Sequence, residues 1–469
     1  MRVAVVRSRR QCWQRIGLPT RPCVLAAFVL LTAVAGCAGF RPVCDRDCVS
    51  ANLQPRTGLE LAAETCQGEV LLPNGAALED GLTEEEAVLI GLWNNAAFLE
   101  TLAELRIARA DLIQAGLLPN PEVVYFFPVS DKPFKYLVDM PIEAFWLRPI
   151  RVAAAGREAD RVCERLTQSA LDLIRDVRQA YADVLLAQGR REVAEEAVRI
   201  RSRIAELAQA RLEAGDSSGQ EAATARIDAL QAQQDLTRIR YDVDLAEERL
   251  RNLLALGSDR TPLSLSAVSP PLRADLDADQ LTAEATETRP DALAAEQAVA
   301  AACERLRLSR VGWVRLLGML DATSGRDKGH EFGPAFRVTL PIFNRNQGGI
   351  ARAEAELTKA SRQCETIHNQ IVLDVHQAHD RYLQARAELE ILDEQVRPEV
   401  ESAIQRMDQA YREGHVPYVV VLETTRQLLD SRVRQHQLHA EVRRAWADLE
   451  RSVGRHLDEP ALSDEEGAG

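Results

Sequence analysis

The sequence predicts a mainly α-helical chain with a small β part, built from one plan used twice. Three observations carry that prediction. The stretch Phe332–Ile342 alternates, with Phe332, Pro334, Phe336, Val338, Leu340 and Ile342 on one face and Gly333, Ala335, Arg337, Thr339 and Pro341 on the other, the period-two pattern of a two-faced strand. It feeds a helix in which Val375, Ala378, Tyr382, Ala385, Leu389, Leu392 and Val396 step by three and four, a seam for lengthwise packing. Landmarks then recur: Pro341 lies 200 residues after Pro141, Gly414 lies 199 after Gly215, and Gly454 lies 197 after Gly257. The seam Val177, Ala180, Val184 matches Val375, Ala378, Tyr382 at 198. Such agreement marks an internal duplication of about 200 residues.

In chain order, the start reads as a targeting segment. The first 36 residues hold six Arg and no acid, followed within them by the apolar run Val24–Val34. That run is too short to span a bilayer comfortably. The ending Val34-Ala35-Gly36-Cys37 resembles a bacterial lipobox, so residues 1–36 are expected to be cleaved and Cys37 to become an acylated terminus. Residues 37–80 are expected as an extended arm. Cys44, Cys48 and Cys66 lie in it, where an oxidising periplasm permits a bridge. Cys163, Cys303 and Cys364 sit alone in helical pattern and read as small buried hydrophobes.

The first repeat, 81–257, opens with Thr83 before Glu84, Glu85 and Glu86, a capping arrangement. One helix is expected from there to Gly116. A hairpin follows at 122–143, then a helix without proline from Val152 to Glu213, about 90 Å long at 1.5 Å per residue. Gly215 ends it, and Asp216, Ser217 and Ser218 are placed to cap the returning helix. Residues 258–288, with Pro262, Pro270 and Pro271, read as a connector. The second repeat, 289–456, has the same order: helix, hairpin 313–342, long helical pair turning at Gly414. Residues 457–469 are a tail.

The four strands cannot close a barrel alone, since membrane barrels begin at eight strands. Open edges in a bilayer are prohibitive. If the strands lie in a membrane, several copies must pool them. Tyr125, Phe126, Phe127, Phe134, Tyr136, Phe145, Trp146 and Trp313 are candidate interfacial aromatics. The alternative is a water-soluble sheet with those aromatics in its core.

The stretches GLTEEEAVLIGLWNN, QAGLLPNPE, RPDALAAEQAVAAA, LPIFNRNQGGIARAEAEL and AYREGHVPYVVVLETTRQLLDSR, with the terminal DLERSVG, resemble the outer membrane efflux proteins of the TolC family. The resemblance covers about residues 80–456. It implies a homotrimer whose twelve pooled strands form one transmembrane β-barrel and whose helical hairpins form a periplasmic α-barrel. With a lipobox, the chain is similar to the lipoprotein exit ducts of RND-type pumps, lipid-anchored in the cell outer membrane. The implied partners are a periplasmic adaptor, an inner-membrane pump and outer-membrane lipid. The adaptor is expected to meet the helical turns at Arg211, Gly215, Asp216, Ser217 and Ser218, and at Tyr411, Gly414, His415, Val416 and Pro417. The family narrows this mouth with acidic rings: Glu423 falls at one such position, and Val420 holds the other, where an acid is expected.

Other chemistries find little support. The formal charge of −14, or −20 once six Arg are cut away with the leader, lacks the basic footprint of a nucleic-acid binder. No phosphate loop is present, so no cofactor is expected and energy must come from a partner. His376 and His379 stand three apart beside Asp380, but no Cys or third His joins them as a metal site would require. The expected function is a passive exit duct, not an enzyme. The rivals are a periplasmic coiled-coil scaffold lipoprotein without conductance and a membrane-tethered enzyme using His376 and His379.

Overall fold

A computed structural model of the chain describes residues 46–62, 70–73, 81–127, 134–215, 217–257, 263–266, 276–325, 329–412 and 418–457. The elements run α1 (Arg46–Thr57), α2 (Glu84–Asn94), α3 (Ala96–Gly116), β1 (Glu122–Phe126), β2 (Phe134–Pro141), α4 (Glu143–Ala214) and α5 (Gly219–Leu254). After the connector come α6 (Ala278–Thr288), α7 (Pro290–Val311), β3 (Leu316–Gly325), β4 (Gly329–Val338) and α8 (Gln347–Ile391). A π-helical turn (Leu392–Val396) joins α8 to α9 (Arg397–Arg412), and α10 (Tyr418–Val453) returns. Among the described residues no helix is long and apolar enough to cross a membrane.

The helix starts follow local chemistry. The Thr83 hydroxyl accepts from the Glu86 amide at 3.3 Å, and the Glu86 carboxylate accepts from the Thr83 amide at 2.9 Å, so two orphan donors are satisfied reciprocally. The single helix expected to Gly116 is interrupted. Asn95 takes an extended backbone, its side-chain oxygen accepts from the Phe98 amide at 3.0 Å, and its side-chain amide donates to the Leu253 carbonyl at 2.9 Å. Asn95 thus closes α2 and opens α3, which suits its preference for caps over helix interiors. The extended arm also needs correction: it carries α1. The connector contains α6 and a bridge of Leu82 to Leu265. β3 begins only at Leu316, because α7 continues to Val311 and Gly312 bonds back to Leu308.

The chain divides into two compact units. The first gathers 1–49, 103–165 and 291–367. It holds the four strands in one antiparallel sheet ordered β1-β2-β3-β4, so the two repeats meet at the β2–β3 pairing. Its helices pack through small side chains such as Ala108, Ala154, Ala159, Ala302 and Ala353. A disulfide joins Cys48 to Cys163 across 115 residues. Cys303 is disulfide-bonded too. The expectation that Cys163 and Cys303 are plain buried hydrophobes is therefore corrected, and only Cys364 of the three keeps a buried thiol.

The second unit gathers 50–102, 166–290 and 368–469. The heptad seams sit in its core: Val177, Tyr181, Val184, Val375 and Tyr382 are essentially inaccessible. Tyr382 packs at a tilt against Trp446, with ring centroids 5.1 Å apart. Buried charges are tied into networks, as they must be. Arg178 pairs with Glu450 and with Glu84, Arg443 reaches Glu84 at 3.1 Å, and Arg451 bridges Asp172 at 2.7 Å and Asp374 at 3.3 Å. Burial works to raise the Glu450 carboxyl, but Arg178 and His456 hold it below the usual range. The Tyr181 hydroxyl donates to the Ser266 carbonyl at 2.6 Å. Burial pushes its pKa up to about 12.

Candidate functional site

Two regions bear on function: the sheet and the helical turns. In the sheet, cross-strand register sorts the side chains into two faces. One row runs Val123, Val138, Leu320, Pro334, and another Tyr125, Tyr136, Ala322, Phe332. Met140, Gly318 and Phe336 share the same face, and no Asp, Glu, Lys or Arg lies on it. All six charged strand residues fall on the other face: Glu122, Lys135, Asp139, Asp321, Glu331 and Arg337. There Lys135 pairs with Asp321 at 2.8 Å and Arg337 with Asp139 at 3.8 Å.

The apolar face is bare. Phe332 and Phe336 are 70% and 71% exposed, and Val123 is 66% exposed. Large side chains outside water's reach are the norm in a soluble sheet; here they point outward and the charges gather on the opposite side. Tyr125 lies edge-on to Phe127 at 4.6 Å and against Tyr136 at 5.0 Å, so aromatics collect at the β1–β2 turn. Phe343, 93% exposed, and Trp146 stand beyond the other strand ends. Aromatic residues at both ends of an apolar band are the pattern of strands set in a bilayer. β1 and β4 are left as edges.

The described part of the first helical turn is local and well satisfied. Gly215 has φ of +83°, a conformation that favours glycine, and its amide donates to the Leu212 carbonyl at 3.0 Å. Ser218 caps α5 by accepting from the Glu221 amide at 3.2 Å, and the Ser217 hydroxyl lies 3.4 Å from the Ala208 carbonyl. Arg211 occupies the last turn of α4. Just above, Ile204, Ala208, Ala225 and Val421 form a small core, with Met407 and Leu422 partly buried against it, so helices of both repeats meet there. Tyr411 falls in the last turn of α9. Cys37, Asp216, Gly414, His415, Val416 and Pro417 lie outside the described residues. Glu423 is exposed on α10, one turn beyond Val420.

His376 and His379 do not converge on a site. His379 is buried, and its Nε2 lies 3.0 Å from the Leu276 carbonyl, the work of a core histidine. No group of three ligating side chains suited to a metal occurs among the described residues. Sequence reasoning missed the close packing of Gly189 on His436. A Cβ on Gly189 would overlap the His436 ring, and burial lowers the pKa of His436 and of His439.

Known proteins share this arrangement. The chain is 26% identical over 391 residues to the cobalt-zinc-cadmium resistance protein CzcC of Cupriavidus metallidurans, covering 80% of this chain and 90% of that one. It is 25% identical to the pyoverdine export outer membrane protein OpmQ of Pseudomonas putida, over 66% of this chain and 68% of the relative. Among solved structures, CusC superposes with a TM-score of 0.68 at 18% identity, covering 80% and 92% of the two chains. The Vibrio cholerae outer membrane protein VceC gives 0.66 at 17% identity, covering 79% and 96%. The outer membrane efflux protein profile matches residues 138–256 and 281–455, more than half of the chain. With its duplicated helical pairs, its two-faced sheet and that match, the chain belongs to the outer membrane efflux protein family, whose members are transport channels and not enzymes.

Proposed function

We propose that the chain is the exit duct of a tripartite efflux system, assembled as a homotrimer. Three copies pool four strands each into one closed barrel in the outer membrane, and their helical pairs continue it as a tunnel in the periplasm. Cargo enters from a periplasmic adaptor and an inner-membrane pump and leaves through the barrel. The observation that carries this reading is the charge-free, solvent-exposed apolar face of a sheet with two open edges. Lipid tolerates that face, and only closure with other copies removes the edges. A scaffold lipoprotein has no use for such a sheet.

Cys37 anchors the chain by acylation, and the adaptor meets Arg211, Gly215, Asp216, Ser217, Tyr411, Gly414, His415 and Val416. A ring of Glu423 lines the mouth and favours cations weakly, since Val420 leaves a second ring without acids. The relatives' names speak of cobalt, zinc and cadmium resistance and of pyoverdine export. Cargo that varied suits a duct that selects little, with choice left to the pump. Purified protein reconstituted in planar bilayers tests this. Three-copy particles with discrete conductance steps support it; a stable monomer that conducts nothing overturns it.

A further inference from the structure

In the second unit, buried charges surround a void. A cavity of about 20 Å³ is lined by Arg175 and Arg178 of α4, Glu450 and Arg451 of α10, and Arg455 and His456 just beyond α10. Four guanidiniums thus face it against one carboxylate. The acids that balance the arginines stand outside the lining: Asp176 beside Arg175 at 2.6 Å, Asp172 and Asp374 beside Arg451, and Glu284 beside Arg455. Glu450 is fully engaged. One of its oxygens accepts from Arg178, and the other accepts from the Leu457 amide at 3.2 Å and pairs with His456. The Nε of Arg178 is buried with no hydrogen-bond partner, since its 3.6 Å separation from the Glu84 carboxylate is too long for one.

The duplication shows that the plan does not require these charges. At the offset of 198, Arg175 and Arg178 of α4 correspond to Leu373 and His376 of α8. At the offset of 197, Glu450 and Arg451 of α10 correspond to Leu253 and Leu254 of α5, and Leu254 is fully buried. Largely apolar residues serve at the matching positions of the other repeat, and a buried ion network is by itself weak evidence of a stabilising role. The void also discriminates among guests. Its volume suits one water or one monatomic ion. A buried water needs acceptors as well as donors around it. Guanidinium groups only donate and keep their charge, and the oxygens of Glu450 are taken. Donors in excess, with no free carboxylate oxygen in the wall, favour an anion over water.

From these observations we propose that the cavity is a binding site for a single halide ion, chloride under natural conditions. Arg178 holds it through Nε, within the field of Arg175, Arg451 and Arg455. The ion joins α4 of the first repeat to α10 of the second and to the segment that follows it. Because it binds the folded chain and not the unfolded one, it links halide concentration to stability. The proposal is independent of the duct reading.

Two measurements on the intact full-length protein in detergent test it. Melts in sodium chloride and sodium gluconate at equal ionic strength, about 150 mM each, should differ by about 3 °C or more in favour of chloride. Crystals grown with bromide in place of chloride should show an anomalous peak in the cavity. Ala447 is buried and belongs to the same lining, so Ala447→Val fills the void while leaving every charge in place, and it should abolish both the chloride shift and the bromide peak. Arg178→Gln should do the same; if it does not fold, Ala447→Val decides. Equal melts in chloride and gluconate, an ordered water alone in the cavity, or a chloride shift that survives Ala447→Val overturns the proposal.

Discussion

The sheet and the helical body treat apolar side chains in opposite ways. In the body, Tyr181, Tyr382, Val177 and Val375 are fully buried, and the charges that surround them are paired. In the sheet, Phe332, Phe336 and Val123 stand largely exposed, and the charges gather on the other face. One polypeptide obeying one hydrophobic effect does this where the exposed face is covered by something other than water. The body is organised for water, and the sheet for a medium in which phenylalanine is welcome and an open strand edge is not.

The contrast breaks most readily at the sheet. Phe336→Arg puts a charge on the lipid side and costs about 2–4 kcal/mol in each copy near the midplane. Loss of heat-resistant oligomers from outer-membrane fractions checks it, while the soluble fold, read by circular dichroism of the body's helices, persists. Arg337→Ala, one position along on the charged face, leaves insertion intact.

Next come changes within the two units. Cys48→Ser removes the disulfide to Cys163 and its constraint on a loop spanning 115 residues, which lowers stability by about 2–4 kcal/mol. Reducing and non-reducing melts should then coincide more closely than in the wild type. Gly189→Ala forces a methyl into the His436 ring and costs about 1–3 kcal/mol through overpacking. Gly219→Ala, with open space around it, should be near neutral.

The smallest effect is a pH dependence. His436 and His439 have folded-state pKa values below the ordinary 6.5, chiefly because burial disfavours the charged ring, with Glu192 and Asp393 opposing. The unfolded chain therefore binds more protons just below pH 6.5, and stability is full above it and falls as pH drops through that window. Denaturant melts at about pH 7.5 and about pH 5.5 should differ for the wild type, and less for His436→Gln.

Much of this was legible in the residues. The capping chemistry at Thr83, the glycine stops, the hairpins and the duplication follow from local pattern and spacing. Other features were not. Asn95 falls within an otherwise helical run, and its capping role depends on the Leu253 carbonyl across the fold. The Cys48–Cys163 pairing joins residues far apart in sequence, and no spacing rule reveals it. The strand expected from Phe332 to Ile342 ends at Val338, since alternation continues past the last ladder partner, Leu316. Nor was the π turn at Leu392–Val396 legible, because the repeat offsets of 200, 198, 199 and 197 single out no one position.

The central claim is that lipid covers the apolar face of the sheet. A fluorophore attached to single cysteines at each position from Phe332 to Val338, in vesicles containing brominated lipid, tests it most directly. Quenching should alternate, strong at 332, 334, 336 and 338 and weak at 333, 335 and 337. Uniform quenching, or none at any position, would contradict the account.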